Sequence, residues 1–154
     1  MIRRVNGTRV TALAVLFASL AACSPPTDAE TALREWVARG EAAVEREDRR
    51  ELMGMISGSY ADARGNSRDE IDRTLRLLFL REDDIKVVTH IETIEVFDDT
   101  AAKITLTAGV AGSRDSSLLG ISADAVRFQY ELEHDGDDWL LTGARWGELG
   151  ETLR

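Results

Sequence analysis

Apolar residues along the chain fall into one unbroken run, then a helical repeat, then a strict alternation. No residue between Val10 and Ala22 is charged. Further on, Ala29, Leu33, Trp36, Val37, Ala43 and Val44 recur at helical spacing, which predicts one buried helix face. Thr27-Asp28-Ala29-Glu30 has capping-box spacing and predicts the start of that helix. Asp48-Arg49-Arg50-Glu51 predicts a second start, with Leu52, Met55 and Ile56 as its stripe. Residues 58–66 read as a loop. Ser67-Arg68-Asp69-Glu70 is a third cap, ahead of Ile71, Leu75, Leu78 and Phe79 on an inner face, and Asp83-Asp84 closes that helix.

Beyond residue 85 the period changes to two. Ile85, Val87 and Ile91 alternate with Lys86 and His90, after which the apolar phase slips to Ile94 and Val96, predicting a bulge near Glu92-Thr93. Asp98-Asp99 marks a turn. Ala102, Ile104, Leu106, Ala108 and Val110 alternate with the outward Lys103, Thr105 and Thr107. A loop is expected over 112–122. Val126, Phe128, Tyr130 and Leu132 then alternate with Arg127, Gln129, Glu131 and Glu133. Asp135-Gly136 signals a hairpin, and the last strand runs from Trp139 to about Trp146. Helices followed by four antiparallel strands make an α+β fold. Strands of about ten residues or more exceed the usual ~5–6. Long strands with a bulge predict a curved, cone-like sheet with the N-terminal helices in its concave face.

This order, with the segment Tyr60-Ala61-Asp62-Ala63-Arg64-Gly65-Asn66-Ser67-Arg68, resembles the nuclear transport factor 2-like superfamily. That superfamily is the cystatin-like cone shared with polyketide cyclase-like proteins. The resemblance covers roughly residues 27–149. It implies a pocket between sheet and helices, where enzymes of the superfamily use an aspartate, a histidine–aspartate pair, or a tyrosine with an acid.

The N-terminus carries a different message. Arg3, Arg4 and Arg9 precede the 13-residue apolar run 10–22. As a helix that run spans about 20 Å, short of the ~20 residues a bilayer core needs. A basic start, a short apolar run and small residues form a signal-peptide pattern. Leu20-Ala21-Ala22-Cys23 resembles the lipobox of bacterial lipoproteins. The resemblance implies cleavage between Ala22 and Cys23, a diacylglycerol on the Cys23 thiol, and an acyl chain such as palmitate on the freed amine. Ser24-Pro25-Pro26-Thr27 would then be a short stiff tether. Serine rather than aspartate at position 24 favours the outer membrane facing the periplasm; the periplasmic face of the inner membrane is the alternative. The expected organisation is signal peptide 1–22, lipidated tether 23–27, cone domain 28–149 and tail 150–154.

Composition narrows the partners. Of 154 residues, 44% are apolar and 31% charged, enough for one domain with a real core. After residue 22 the chain holds 16 basic and 28 acidic residues, a net charge of −12. Such a body repels nucleic acid and anionic lipid alike, so the predicted membrane attachment has to come from the lipid at Cys23. The lone cysteine excludes an internal disulfide. His90 and His134 stand 44 positions apart, and neither metal spacing nor a cofactor motif is present in the sequence.

A catalytic carboxyl or imidazole in such a cone has to face the apolar interior. The inward sets of the second and third strands hold no acid or base. His90 shares a face with Lys86 and Glu92, on the outside, and His134, beside the hairpin turn, is expected to be exposed. Tyr60 and Asp62 can reach a pocket mouth. The favoured reading has Asp62 capping loop amides and Tyr60 closing the core. Asp135, Asp137 and Asp138 lack a full calcium loop and read as a solvated turn. Trp36, Tyr130 and Trp146 line either a cavity or the core. Residues 113–121 form a lip over the pocket, a partner contact, or packing onto their own domain. The expected function is non-catalytic, binding a small apolar ligand or an envelope protein partner. The alternative is a cone-fold hydrolase or isomerase using His90 or Asp62.

Overall fold

The computed structural model describes residues 28–82, 85–98, 100–111 and 125–154. Three helices, α1 (Asp28–Glu45), α2 (Arg49–Gly54) and α3 (Arg68–Arg81), precede four strands. These are β1 (Lys86–Phe97), β2 (Ala101–Ala111), β3 (Ala125–His134) and β4 (Trp139–Glu148). The strands form one antiparallel sheet in the order β1-β2-β3-β4. The expected α+β cone is what the chain adopts.

Local sequence fixes the helix ends. The Asp48 carboxylate accepts the Glu51 N–H at 3.0 Å and starts α2. Glu70 Oε2 accepts the Ser67 N–H at 2.7 Å and the Ser67 hydroxyl at 2.9 Å, starting α3. At the end of α2, Arg68 donates to the carbonyls of Met53 at 2.7 Å and Ile56 at 3.1 Å, tying the start of α3 to that end. The predicted cap at Thr27, the acid pair Asp83-Asp84 and the loop 113–121 lie outside the described residues.

The core fills the space between α1 and the concave face. Leu33, Trp36 and Val37 of α1 meet Ala102, Ile104, Leu106, Leu132, Leu141 and Ala144 of the sheet. The two shorter helices depart from expectation. In α2 it is Met53, with Met55 just beyond, that is buried, while Leu52 and Ile56 are half-buried. In α3 only Leu78 is fully buried, because this helix rests mainly on α2 and not across the sheet.

The bulge falls where the phase slip placed it: Ile91 pairs with Leu106 and Thr93 with Thr105, leaving Glu92 extra. A second, unanticipated bulge sits at Thr142, between the pairs Glu131–Gly143 and Leu132–Leu141. Both bend the sheet around α1. Thr105 points outward as expected yet is buried, 6% exposed, because it occupies the middle of the convex face between Thr93 and Gln129.

Each outer strand has part of its edge covered. On β1, Glu41 of α1 accepts the Thr89 N–H at 2.8 Å and its hydroxyl at 2.5 Å. On β4, the Leu141 N–H donates to the Met55 carbonyl, and the Ser57, Ala61 and Ala63 N–H groups donate to Leu141, Thr142 and Ala144. This lays the loop after α2 along β4. Trp146 and Arg154 exchange both main-chain hydrogen bonds, so the last residues fold back onto the same edge.

Candidate functional site

Four aromatic rings form a continuous row on the concave face. Trp36 of α1 meets Tyr130 edge to face, with centroids 6.1 Å apart. Tyr130 lies 5.6 Å from Phe128, and Phe128 stacks at 6.2 Å on Trp146. Strand alternation places 128 and 130 inward on β3, and the register brings Trp146 opposite Phe128. The Arg64 guanidinium caps the far end, 4.4 Å from the centre of the Trp146 ring.

Two donors along this row have no partner among the described residues. Trp36 Nε1 and Trp146 Nε1 are both cut off from solvent, and neither is hydrogen-bonded among the described residues. A buried N–H without an acceptor carries the full cost of losing water. The hydroxyl of Tyr130, a half-buried residue, has its pKa pushed up to about 12 by burial. Tyr60 is raised further, by burial first and then by the nearby Asp62 carboxylate. Both phenols stay neutral at ordinary pH.

Asp62 is buried beside this row, 7% exposed, and its oxygens are occupied. Oδ1 accepts the Arg64 N–H at 2.9 Å and the Asn66 N–H at 2.8 Å, and Oδ2 accepts the Asn66 amide at 2.9 Å. It organises the 62–66 turn, as the residue types favoured, and so aims Arg64 at Trp146. A shallow polar depression of about 160 Å³ opens on its outer side, lined by Ala61, Asp62, Ala63, Glu131, Gly143, Ala144 and Arg145. Gly143 permits this approach, since a Cβ there would lie 3.2 Å from the Glu131 carboxylate and 3.5 Å from the Ala61 carbonyl.

The remaining candidates lie elsewhere. His90 is exposed on the convex face, paired in register with Thr107 and away from Tyr60 and Asp62. Beside it, Glu92 accepts the Thr107 hydroxyl at 2.8 Å and pairs with Arg127 at 2.5 Å; the Thr107 bond and then Arg127 hold its carboxyl low. His134 is half-buried rather than exposed: its ring packs edge-on against Trp139 at 5.1 Å, and Nδ1 accepts the Gly136 N–H. Asp135 accepts the N–H groups of Asp137 and Asp138 at 3.0 and 2.9 Å, the geometry of a turn. No group of three or more metal-ligating side chains occurs among the described residues. Phe128 and Arg64 were missed as site residues. Alternation marks Phe128 only as core, and nothing in the sequence shows that Arg64 lies above a ring 82 positions away.

No family model and no curated protein matches the sequence. Solved structures do. A cystatin-like-fold domain of unknown function from Nostoc punctiforme is 13% identical over 78% of this chain and 76% of its own, with a TM-score of 0.61. A nuclear transport factor 2-like protein of unknown function from Shewanella oneidensis is 16% identical over 75% and 96%, with a TM-score of 0.61. A proposed dehydratase of the same fold family from Streptomyces avermitilis is 14% identical over 79% and 96%, with a TM-score of 0.62. The fold is the nuclear transport factor 2-like, cystatin-like cone. Likeness at this level of identity establishes the fold alone. Among the described residues, no helix is long and apolar enough to cross a membrane.

Proposed function

We propose that the chain is a lipid-anchored envelope protein whose cone binds a small, largely apolar ligand without transforming it. The observation that carries the binding reading is the row Trp36–Tyr130–Phe128–Trp146 with an indole N–H at each end that has no partner among the described residues. Flat apolar surface with a few buried donors suits an aromatic or alicyclic body bearing an acceptor oxygen. The inward positions from Ala102 to Ala108 and from Val126 to Leu132 hold no acid, histidine or lysine to drive proton transfer. Asp62 is committed to its turn and His90 faces outward, which weighs against the hydrolase or isomerase alternative.

The anchoring part of the reading is supported by the basic start, the apolar run 10–22 and Leu20-Ala21-Ala22-Cys23. Domain 28–149 would follow a lipidated tether 23–27 and sit in the periplasm, at the outer membrane or, alternatively, the inner membrane. An envelope protein as the occupant of the cone is the competing form of the binding reading.

Native mass spectrometry of the detergent-extracted protein tests it. The expected spectrum shows acylated polypeptide plus a non-covalent small molecule, lost on Phe128→Ala. Acylated polypeptide that carries no small molecule and does not quench its tryptophans with an apolar dye would overturn ligand binding.

A further inference from the structure

The aromatic row of the cone ends in a cation whose charge the protein leaves unmatched. Arg64 is exposed, and its guanidinium rests on the Trp146 ring, 4.4 Å from the centre. A ring face holds a cation but offers its N–H donors no lone pair. Arg127 and Arg145, on the sheet, face Glu92 at 2.5 Å and Glu131 at 3.0 Å, whereas Arg64 has no ion-pair partner among the described residues. Asp62, two residues away, is committed elsewhere: it accepts the Arg64 main-chain N–H and both Asn66 donors. The opposite end of the row is uncharged. Trp36 offers an indole N–H there, and Arg39, one turn along α1, already faces Glu51 and Asp138 at 3.5 and 3.6 Å. Between these ends the concave face stays accessible. The inward rings of Phe128, Tyr130 and Trp146 are half-buried, while Ile104, Leu106 and Leu132 are at most 2% exposed.

We infer that the ligand of this row is an aromatic or alicyclic monocarboxylate, held with its carboxylate against Arg64 and its ring body running toward Trp36. The inference rests on the ligand binding proposed above and names the class of ligand. The planar guanidinium fork matches the two oxygens of a carboxylate. Trp146 Nε1, in the ring that Arg64 covers, is a second donor for the same anion, since it has no partner among the described residues. A flat body behind the carboxylate then meets Phe128 and Tyr130 at the spacing aromatic rings prefer. One negative charge fits better than two. A dianion such as a phosphate monoester would meet the field of a chain whose net charge beyond residue 22 is −12, with Arg39 already paired and only Arg64 to offset it.

The test is calorimetric titration of the full-length protein in a nonionic detergent at neutral pH, with detergent alone as the blank. The probes are naphthoate, its neutral isostere naphthamide, and naphthyl phosphate. Naphthoate should bind about ten-fold more tightly than naphthamide, the weight of one charge-assisted hydrogen bond. It should also bind more tightly than naphthyl phosphate. Arg64→Gln should cost naphthoate about ten-fold and bring it level with naphthamide. Equal affinities for naphthoate and naphthamide in the wild type overturn the carboxylate and leave apolar binding standing. A preference for naphthoate that survives Arg64→Gln overturns the placement of the anion. Tighter binding of naphthyl phosphate overturns the single charge. If neither naphthoate nor naphthamide binds, and Phe128→Ala titrates like wild type, the binding reading and this inference fall together.

Discussion

Arg64 lies over Trp146, its guanidinium carbon 4.4 Å from the ring centre, and so closes one end of the aromatic row in the cone. The chain has three tryptophans, and Trp36 and Trp139 are buried, so acrylamide quenching reports chiefly on Trp146. Arg64→Ala should raise that quenching while costing less than about 1 kcal/mol of stability, the scale of a surface cation–π contact. Unchanged quenching would show that Arg64 does not cover the ring.

Asp62 holds three donors of the turn that aims Arg64. Asp62→Ala leaves them unpaired and should cost about 2 kcal/mol, measured as a lower urea midpoint. His90→Ala, on the convex face, should stay within about 0.5 kcal/mol of wild type. A larger loss from His90 than from Asp62 would contradict the assigned roles.

Leu106 is 1% exposed in the concave core, and Leu106→Asp should unfold the domain, since an unpaired buried carboxylate costs several kcal/mol out of a total of about 5–15. Thr105→Asp, on the opposite face but 6% exposed, should also destabilise, whereas Glu133→Ala, exposed on the same outer face, should not. Circular dichroism melts of the three variants check this ordering.

The chain holds two tyrosines, Tyr60 and Tyr130, and both have raised pKa values, Tyr130 to about 12. In the unfolded chain both would ionise near ~10. A raised folded value means the native state keeps its protons longer. Their contribution to stability is therefore intact below pH ~10 and is lost as pH rises from there toward about 12. Phenolate absorbance should not rise near pH ~10 in the native protein; its rise should coincide with the loss of circular dichroism. A native transition at the free value would refute the burial of the two phenols.

Cys23→Ser should release the protein from the membrane fraction if the anchor is as proposed. Fractionation of cells expressing either form decides it. A variant that pellets with membranes as wild type does would place the attachment somewhere other than Cys23.

Much of this molecule could be read from its sequence, for a definite reason. Alternation in β2 and β3, the caps at Asp48 and Ser67, and the slip at Glu92 are local patterns in which one face is apolar and the other is not. Burial then has one solution, and register follows from it. Alternation puts His90 on the outer face, and local turn chemistry puts Asp62 in its turn. What sequence spacing does not contain is distance between elements. The row from Trp36 to Trp146 needs α1 laid across β3 and β4, and the contact of Arg64 with Trp146 needs the loop after α2 to run along the β4 edge. The burial of Thr105 depends on its place in the middle of the sheet, and that of His134 on the ring of Trp139. The sequence by itself determined the elements and the face each presents, because period and capping act within a few residues. The tertiary structure alone decided which side chains share a site, because packing joins residues that no short-range pattern connects.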